Sequence, residues 1–218
     1  MIRKYYTTHR GQRGITGLET AIILIAFVVV AAVFAYTALT AGLFSTQKAQ
    51  EAVYSGLKEA QSSLELRGGV IATANITGST GNIKQISFVV SNVLQGEPID
   101  FTEPTVPATP TGKAHATTNT NKIVINYIDE NQTENDLFWT ITKLGNTDDD
   151  DLLEDGEKFR VTIGAVDAGS GAGNLIDALG TYLSVNTQFS LIIQTPVGAV
   201  LEIERTIPPY IDTIMNLR

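Results

Sequence analysis

The hydrophobic pattern of the chain is dominated by one long apolar run near its start. The run opens at Ile15 and carries no charged residue between Ala21 and Phe44. As a helix, this charge-free stretch would be about 36 Å long, which exceeds the roughly 30 Å hydrocarbon core of a bilayer. The pattern therefore predicts a helix that can cross a membrane.

A second helical pattern follows this run, from Ser45 to Leu66. Its apolar residues recur close to helical spacing, and its charged residues fall elsewhere. We therefore expect one helix over 15–67, which Gly68 and Gly69 end by forming a flexible joint. Such a helix would be about 78 Å long. The first half of the helix is apolar all round, which suits burial among the same helices of other copies of the chain. Its second half has one apolar face, which suits packing against the domain that follows it in the chain.

Residues 68–218 show the pattern of an all-β domain. Short strand-like runs separated by turn-forming residues predict an α+β fold, in which an immunoglobulin-like β-sandwich follows the long helix. The Thr- and Pro-rich segment Phe101–Asn121 is expected to be an exposed loop with one short strand at most. Seven strand-like runs, rich in β-branched and aromatic residues, are separated by Gly, Pro, Asn and Asp clusters: VIATANIT, KQISFVVSNVL, KIVINYI, LFWTITKL, FRVTIGAV, FSLIIQT and AVLEIERTI.

Charge sets the first 14 residues apart as a basic leader. They contain Arg3, Lys4, Arg10 and Arg13 and no acid. Removing these four from the 15 basic residues leaves 11 against 23 acidic ones, so the net charge falls from -8 to -12. A chain this acidic would repel phosphates, which excludes nucleic acid as a partner. The chain has no cysteine, which excludes disulfides, thiolate metal sites and cysteine nucleophiles.

The leader also orients the apolar helix. No basic residue follows the run until Lys48, so the positive-inside rule places the leader in the cytoplasm and the remainder outside. The usual alternative is a secretory signal peptide, but its apolar stretch has only about 7–15 residues and a small-residue cleavage site follows it. A plain single-pass anchor fits the length. It leaves Glu19 unexplained, because a carboxylate at the margin of an apolar helix is costly.

The stretch Arg13–Thr46, RGITGLETAIILIAFVVVAAVFAYTALTAGLFST, resembles the N-terminus of archaeal flagellins (archaellins), which are similar in design to type IV pilins. In that family a dedicated membrane peptidase cuts after the glycine of a basic-glycine pair. The resemblance therefore implies a cut between Gly14 and Ile15, with Arg13 as the basic residue. Glu19 then becomes the fifth residue of the mature chain.

Physical chemistry gives Glu19 a role after such a cut. Ile15 would carry a free α-amino group, whose ordinary pKa near 7.7 to 8 leaves it mostly charged at neutral pH. Glu19 lies one helical turn away, and a neighbouring subunit could present its own Glu19 to the same amine. Pairing would offset the cost of burying both charges. The alternative is that Glu19 stays at the level of the lipid headgroups.

The resemblance implies a non-enzymatic subunit of an extracellular helical filament. Copies of the apolar helix would leave the membrane and form the filament core, with the β domains outside. The implied partners are other copies of the chain, the leader peptidase, a membrane assembly platform and an ATP-driven motor that rotates the filament for swimming. Two alternatives stay open: a type IV pilin used for adhesion, and a membrane-anchored surface domain that never polymerises.

Two sequons of the form N-x-[ST] lie in the predicted outer domain, at Asn75 and Asn131. Archaellins are often N-glycosylated, so both asparagines are candidate glycosylation sites.

The acidic run over 146–157 has the spacing of a calcium-binding loop. Glycine is required at the sixth position of that loop, where this chain has Asp151. A solvated acidic turn is therefore the alternative, and no other cofactor is expected. The candidate calcium ligands are Asn146, Asp148, Asp150 and Glu157.

Catalytic chemistry has little support in this sequence. Its two histidines, His9 in the leader and His115 in the Thr-rich segment, belong to no nucleophile or metal motif. The Gly-rich stretch Gly169–Asn174 lacks the Lys-Ser/Thr of a phosphate-binding loop, and we expect it to be a turn between strands.

Overall fold

The computed structural model describes residues 13–93, 97–145, 147–165 and 171–217. The chain forms two compact units that divide between Tyr54 and Ser55. The first unit contains most of a long helix. The second contains the end of that helix and all of the strands.

The long helix, α1, covers Arg13–Gln61. Proline is absent from this range, and Ala and Leu, which favour helices, are frequent. One segment of α1 is long and apolar enough to cross a membrane, and none of its most apolar stretch is buried within the chain. The prediction of a long N-terminal apolar helix is confirmed.

The predicted end of this helix is wrong by several residues. Helix α1 ends at Gln61, and Leu64 already pairs with Asn92 in a sheet. Leu64 and Leu66 fit the helical pattern, but as alternate residues they also fit a strand, and their packing against the β core decides for the strand.

The expected flexible joint at Gly68 and Gly69 is also wrong. Both glycines lie inside a strand, where a Cβ on Gly69 would come within 2.2 Å of the Asn216 side chain. The helix passes into the strand through Ser62 and Ser63 instead. Ser62 is buried, the amide of Val93 donates to the Ser63 carbonyl at 3.1 Å, and the connection is therefore held by the domain.

The second unit is an antiparallel β domain. Its five-stranded sheet has the order β11-β1-β2-β8-β6 and its four-stranded sheet the order β10-β9-β4-β5, while β3 pairs with β7. The elements are β1 Leu64–Ile76, β2 Asn82–Asn92, β3 Ile99–Asp100, β4 Val124–Asp129, β5 Thr133–Glu134, β6 Trp139–Leu144, β7 Leu152–Leu153, β8 Lys158–Ile163, α2 Leu175–Ala178, β9 Gln188–Gln194, β10 Leu201–Thr206 and β11 Ile214–Leu217.

The two larger sheets enclose one hydrophobic core. Strands of both alternate between buried and outward residues, as in β9, where Phe189, Leu191 and Ile193 are buried. The core unites these with Phe88 and Trp139 of the five-stranded sheet. All seven predicted strand runs form strands, so the predicted sandwich is confirmed. Strand β11 and the three two-residue strands were missed, because each is too short to show a pattern of its own.

Four residues of the predicted exposed loop are buried, and one of them, Phe101, belongs to the main core. Phe101 is fully buried, and its ring meets those of Trp139 and Phe159 edge to face, with centroids 6.0 and 5.6 Å away. The rest of the loop has no regular strand, only an isolated bridge between Lys113 and Leu137. The loop is therefore anchored at Phe101 and again by backbone hydrogen bonds of Gly112 and Ala114, which the Thr- and Pro-rich composition concealed.

Replacing Phe101 with Ala should destabilise the β domain by about 3–5 kcal/mol, because it removes a fully buried ring and leaves a cavity. Urea unfolding of the full chain, followed by the fluorescence of Trp139, measures this loss. Val106 lies in the same loop and is 47% exposed, so Val106→Ala is the control and should cost less than about 0.5 kcal/mol. Equal effects of the two substitutions would contradict the anchoring role of Phe101.

Candidate assembly site on the N-terminal helix

Helix α1 presents an apolar surface that its own chain leaves uncovered. Every side chain over 17–60 is exposed, including Phe27 at 73%, Phe34 at 69% and Leu39 at 64%. Contiguous exposed apolar patches of more than a few hundred Å² mark sites of protein or membrane association. This surface is the largest such feature among the described residues, and we take it as the candidate functional site.

Three threonine hydroxyls in and next to the apolar stretch are satisfied by the helix itself. Thr37 donates to the Phe34 carbonyl at 2.9 Å, Thr46 donates to the Leu43 carbonyl at 2.8 Å, and Thr40 donates to the Tyr36 carbonyl. A buried hydroxyl without a partner would cost several kcal/mol in a lipid environment. Because these hydroxyls need no partner outside the helix, they can enter an apolar environment without that cost.

Small residues form a continuous line along α1. They recur at alternating intervals of four and three residues. The average spacing is therefore 3.5 residues, as in left-handed coiled coils. Small side chains allow two helix backbones to approach closely. A Cβ on Gly42 or Gly56 would meet nothing within 4 Å in the isolated chain, so no contact within the chain requires a glycine at either position. The line comprises Ala31, Ala35, Ala38, Gly42, Ser45, Ala49, Ala52 and Gly56.

The charged residues of α1 differ in their partners. Glu51 pairs with Lys48 at 2.6 Å, and Lys58 pairs with Glu97 at 2.8 Å. Glu19 is exposed and makes no ion pair or hydrogen bond with any residue in the described part of the chain. The charge of Glu19, on the apolar half of the helix, is therefore available to a partner from another chain.

The predicted cleavage point lies at the beginning of α1. Arg13, Gly14 and Ile15 are its first three residues, so the helix of the uncut chain starts two residues before the expected cut. The remainder of the leader, with His9, lies outside the described residues.

Both candidate glycosylation sites are exposed on the β domain. Asn75 is in β1, and its side-chain amide donates to the Asn82 side chain at 3.0 Å. Asn131 lies in the turn between β4 and β5, where its backbone amide donates to Asp129 at 2.7 Å. Its own side chain makes no hydrogen bond with the described residues.

Asp129 organises the turn that carries Asn131. Its carboxylate accepts hydrogen bonds from the Tyr127 hydroxyl at 2.7 Å and from the Gln132 backbone at 2.9 Å. Burial raises the pKa of Asp129, but these hydrogen bonds to its charged form outweigh burial and leave the pKa below the usual value. Burial and the neighbouring carboxylate raise the pKa of Tyr127, which stays a hydrogen-bond donor at neutral pH.

The predicted calcium loop forms backbone turns. Asp148 accepts from the amide of Asp150 at 3.3 Å, and Asp150 accepts from the amide of Leu152 at 2.8 Å. Glu157 is buried and accepts from the amide of Glu154 at 3.1 Å. Asn146 lies outside the described residues, and among those described no three acidic or histidine side chains are grouped so as to hold a metal ion.

The remaining candidate groups also have local structural roles. His115 accepts hydrogen bonds through Nδ1 from the amides of Thr117 and Thr118, each at 3.3 Å. The Gly-rich stretch leads into the short helix α2, where the Asn174 amide donates to Asp177 at 2.7 Å. The pairing of Asn174 with Asp177 at the helix start is a local signal that sequence reading passed over.

Comparison with known proteins shows similarity along nearly the whole chain. The family model for archaeal-type flagellin matches residues 14–205. Probable flagellin 1 and probable flagellin 2 of Archaeoglobus fulgidus are 35% and 36% identical, over 95% and 92% of this chain and 96% and 92% of theirs. The solved archaeal flagellum of Methanospirillum hungatei matches with a TM-score of 0.58 and 30% identity, covering 92% of this chain and 98% of that one.

Replacing Gly42 with Leu should favour the isolated helix by about 0.8–1 kcal/mol, because glycine is a poor helix former. The same change should nevertheless reduce self-association of the chain, since the larger side chain keeps neighbouring backbones apart. The measurement is the amount of sedimentable polymer on cells that make the variant. Val33→Leu adds bulk on another side of α1 and is the matched control. If Gly42→Leu polymerises like Val33→Leu, the small-residue line does not set the packing distance.

Proposed function

The chain belongs to the archaeal-type flagellin family and is a structural subunit of the archaeal flagellum filament, and from that premise we propose that it is made as a precursor cut between Gly14 and Ile15. The observation that carries the filament role is the uncovered apolar surface of α1, combined with the match to a solved filament over 92% of the chain. Filament subunits of this family lie on the outside of the cell, and the filament is built from copies of the chain.

The proposed precursor sits in the membrane before it enters the filament. Four basic residues precede the apolar stretch, which favours a cytoplasmic leader and an outward β domain. The self-satisfied hydroxyls of Thr37, Thr40 and Thr46 suit both lipid and a helix bundle. The same surface can therefore be covered first by lipid and later by the helices of other copies.

Transfer from membrane to filament needs machinery that recognises the precursor. We propose that a membrane peptidase of the prepilin type removes the leader and that an assembly platform with an ATP-driven motor inserts and rotates the subunit. The leader carries four basic side chains next to the apolar helix. Removing it leaves one positive α-amino group and the negative Glu19 at the helix start, so the two charges there can balance. The cut therefore permits the helix start to be buried.

Glu19 is proposed to pair with the new α-amino group of Ile15 on its own or a neighbouring subunit. The charges would offset each other in the apolar core, where an isolated ion is very costly. Support comes from its position on α1, its exposure and the lack of a partner within the described residues.

The subunit is proposed to have no catalytic activity and no cofactor. Its family consists of structural filament proteins, and His115 is committed to the backbone of its loop. Calcium binding by the acidic loop has no support in the described contacts. Asn75 and Asn131 are both exposed, so each can accept a glycan, and the masses of the two peptides distinguish them.

N-terminal sequencing of subunits from sheared filaments should begin at Ile15 and never at Met1. Gly14→Val should leave a full-length precursor in the membrane and no filament, because a branched side chain replaces the small residue at the cut. Gly17→Ala, at the third residue after the cut, is the control and should be processed normally. Filaments whose subunits keep the leader would contradict the proposed cleavage.

Glu19→Gln should be processed normally but assemble poorly, because it removes the charge while keeping the size and shape of the side chain. The quantity to measure is filament per cell by electron microscopy, alongside the amount of cleaved subunit in the membrane. Gln50→Glu adds a carboxylate further along α1 as a comparison. Normal filaments from Glu19→Gln would remove the pairing role and leave Glu19 as an interfacial residue.

A further inference from the structure

The two large sheets carry grooves of opposite charge on their outer faces. The basic groove lies on the five-stranded sheet, has a volume of about 500 Å³ and is lined by Arg67, Ile71, Val89, Arg160 and Ile214 with their neighbours. The acidic groove lies on the four-stranded sheet, has a volume of about 510 Å³ and is lined by Ile128, Asp129, Glu130, Ser190 and Glu204 with their neighbours.

Strand register creates the basic groove. Arg67 pairs with Val89, and Val89 pairs with Arg160, so the three lie in one row across β1, β2 and β8. Arg67 bonds to Glu65 at 3.0 Å and to Ser91 at 2.9 Å. Arg160 is exposed and makes no ion pair or hydrogen bond with any described residue, which leaves its charge for a partner.

Ile214 adds an apolar side to the basic groove. It is 65% exposed at the sheet edge, although its neighbour Met215 is buried in the core. The groove therefore combines two guanidinium groups with an uncovered aliphatic surface. Aliphatic surface together with arginine is typical of the central part of protein interfaces.

The acidic groove has the complementary composition. Register places Glu204, Ser190 and Ile128 in one row across β10, β9 and β4. The carboxylates of Asp129, Glu130 and Glu204 line the groove, and no lysine or arginine does. Glu202 lies two residues along β10 and is also exposed, so it extends the negative surface.

We propose that the basic groove of one subunit docks on the acidic groove of a second copy of this chain. The inference rests on the filament role and adds a contact between β domains to the contact between helices. Opposite charges on the two surfaces favour this pairing over contacts between like faces and would set its register. Aliphatic residues on both sides, Ile128 in one groove and Ile71 and Ile214 in the other, provide apolar area to bury.

The geometry of the pairing fits an open polymer. The two grooves are on opposite outer faces of one sandwich, so a contact between them is heterologous: each subunit uses a different face for each neighbour. A heterologous contact that does not close into a ring continues indefinitely as a helical array. A contact between two copies of the same groove would end at a dimer.

The docking has a consequence for glycosylation. Asn131 also lines the acidic groove, so a glycan on Asn131 would occupy the space that the neighbouring subunit fills. Assembled subunits are therefore expected to carry a glycan at Asn75 and not at Asn131. A glycan found on Asn131 in intact filaments would overturn the proposal.

Charge reversal of each groove tests the pairing in filaments made of a single variant. Arg67→Glu/Arg160→Glu and Glu202→Arg/Glu204→Arg should each lower the amount of sedimentable filament about tenfold, since the facing surfaces then carry like charges. The chain with all four changes should recover most of it. Lys122→Glu, outside both grooves, is the control. Normal yield from either pair variant, or no recovery in the fourfold variant, overturns the proposal.

A crosslinking experiment decides the matter without changing charge. The chain has no cysteine, and Ser87 and Ser190 lie in the basic and acidic grooves, so serine-to-cysteine changes place one thiol in each. Treatment of Ser87→Cys/Ser190→Cys filaments with a short bismaleimide should give a ladder of covalent oligomers, and each single variant should give monomers. Dimers from a single variant, or monomers from the double variant in filaments intact by electron microscopy, overturn the docking while the filament role stands.

Discussion

The constraint on which this molecule depends is that helix α1 carries a long apolar surface with no cover from its own chain, since every residue over 17–60 is exposed. An apolar surface of this length has two stable environments, a lipid bilayer and a bundle of similar helices. Lipid covers a single helix at once, but it does not join one subunit to the next. A bundle does both, and for that reason the surface proposed to hold the precursor in the membrane is also the surface that makes a polymer. The internally bonded hydroxyls of Thr37, Thr40 and Thr46 need no new partner when α1 exchanges one environment for the other.

The β domain solves the opposite problem, because it must be stable with water around it and must not depend on a neighbour for its core. Its two sheets enclose a shared core that includes Tyr127, Trp139 and Phe159. The connection from α1 is part of this domain: Ser62 is buried, and a Cβ on Gly198 would come within 2.3 Å of the Ser62 carbonyl oxygen. The end of the helix is thus fixed by packing, whereas a glycine joint at Gly68 and Gly69 would have left it free. Charged outer faces then remain available for selective contacts.

How much of this could be predicted from the sequence depended on whether the signal was local. The apolar run from Ala21 to Phe44 and the seven strand runs are local patterns, and the structure confirms them. The end of α1 is not local. Leu64 continues the helical spacing of Leu57 and Ala60, and only its pairing with Asn92, far along the chain, shows that it belongs to a strand. The burial of Phe101 is decided in the same way by Trp139 and Phe159, which a Thr- and Pro-rich segment gives no reason to expect.

The residues of the candidate site also differ in whether a local sequence signal reveals their role. Sequence alone singles out Glu19, because a carboxylate among apolar residues is anomalous wherever the helix lies, and its pairing role stays a prediction. The acidic loop was ambiguous, because carboxylates spaced for calcium are also spaced to accept backbone amides in turns. The structure shows Asp150 and Glu157 in that second use. The outer grooves were beyond sequence reading altogether, because Arg67 and Arg160 are 93 positions apart and meet in one row only through the order of β1, β2 and β8. A polymer needs both kinds of information: local sequence makes the helix that every copy buries, and sheet order makes the two different faces through which one copy can distinguish the front of its neighbour from the back.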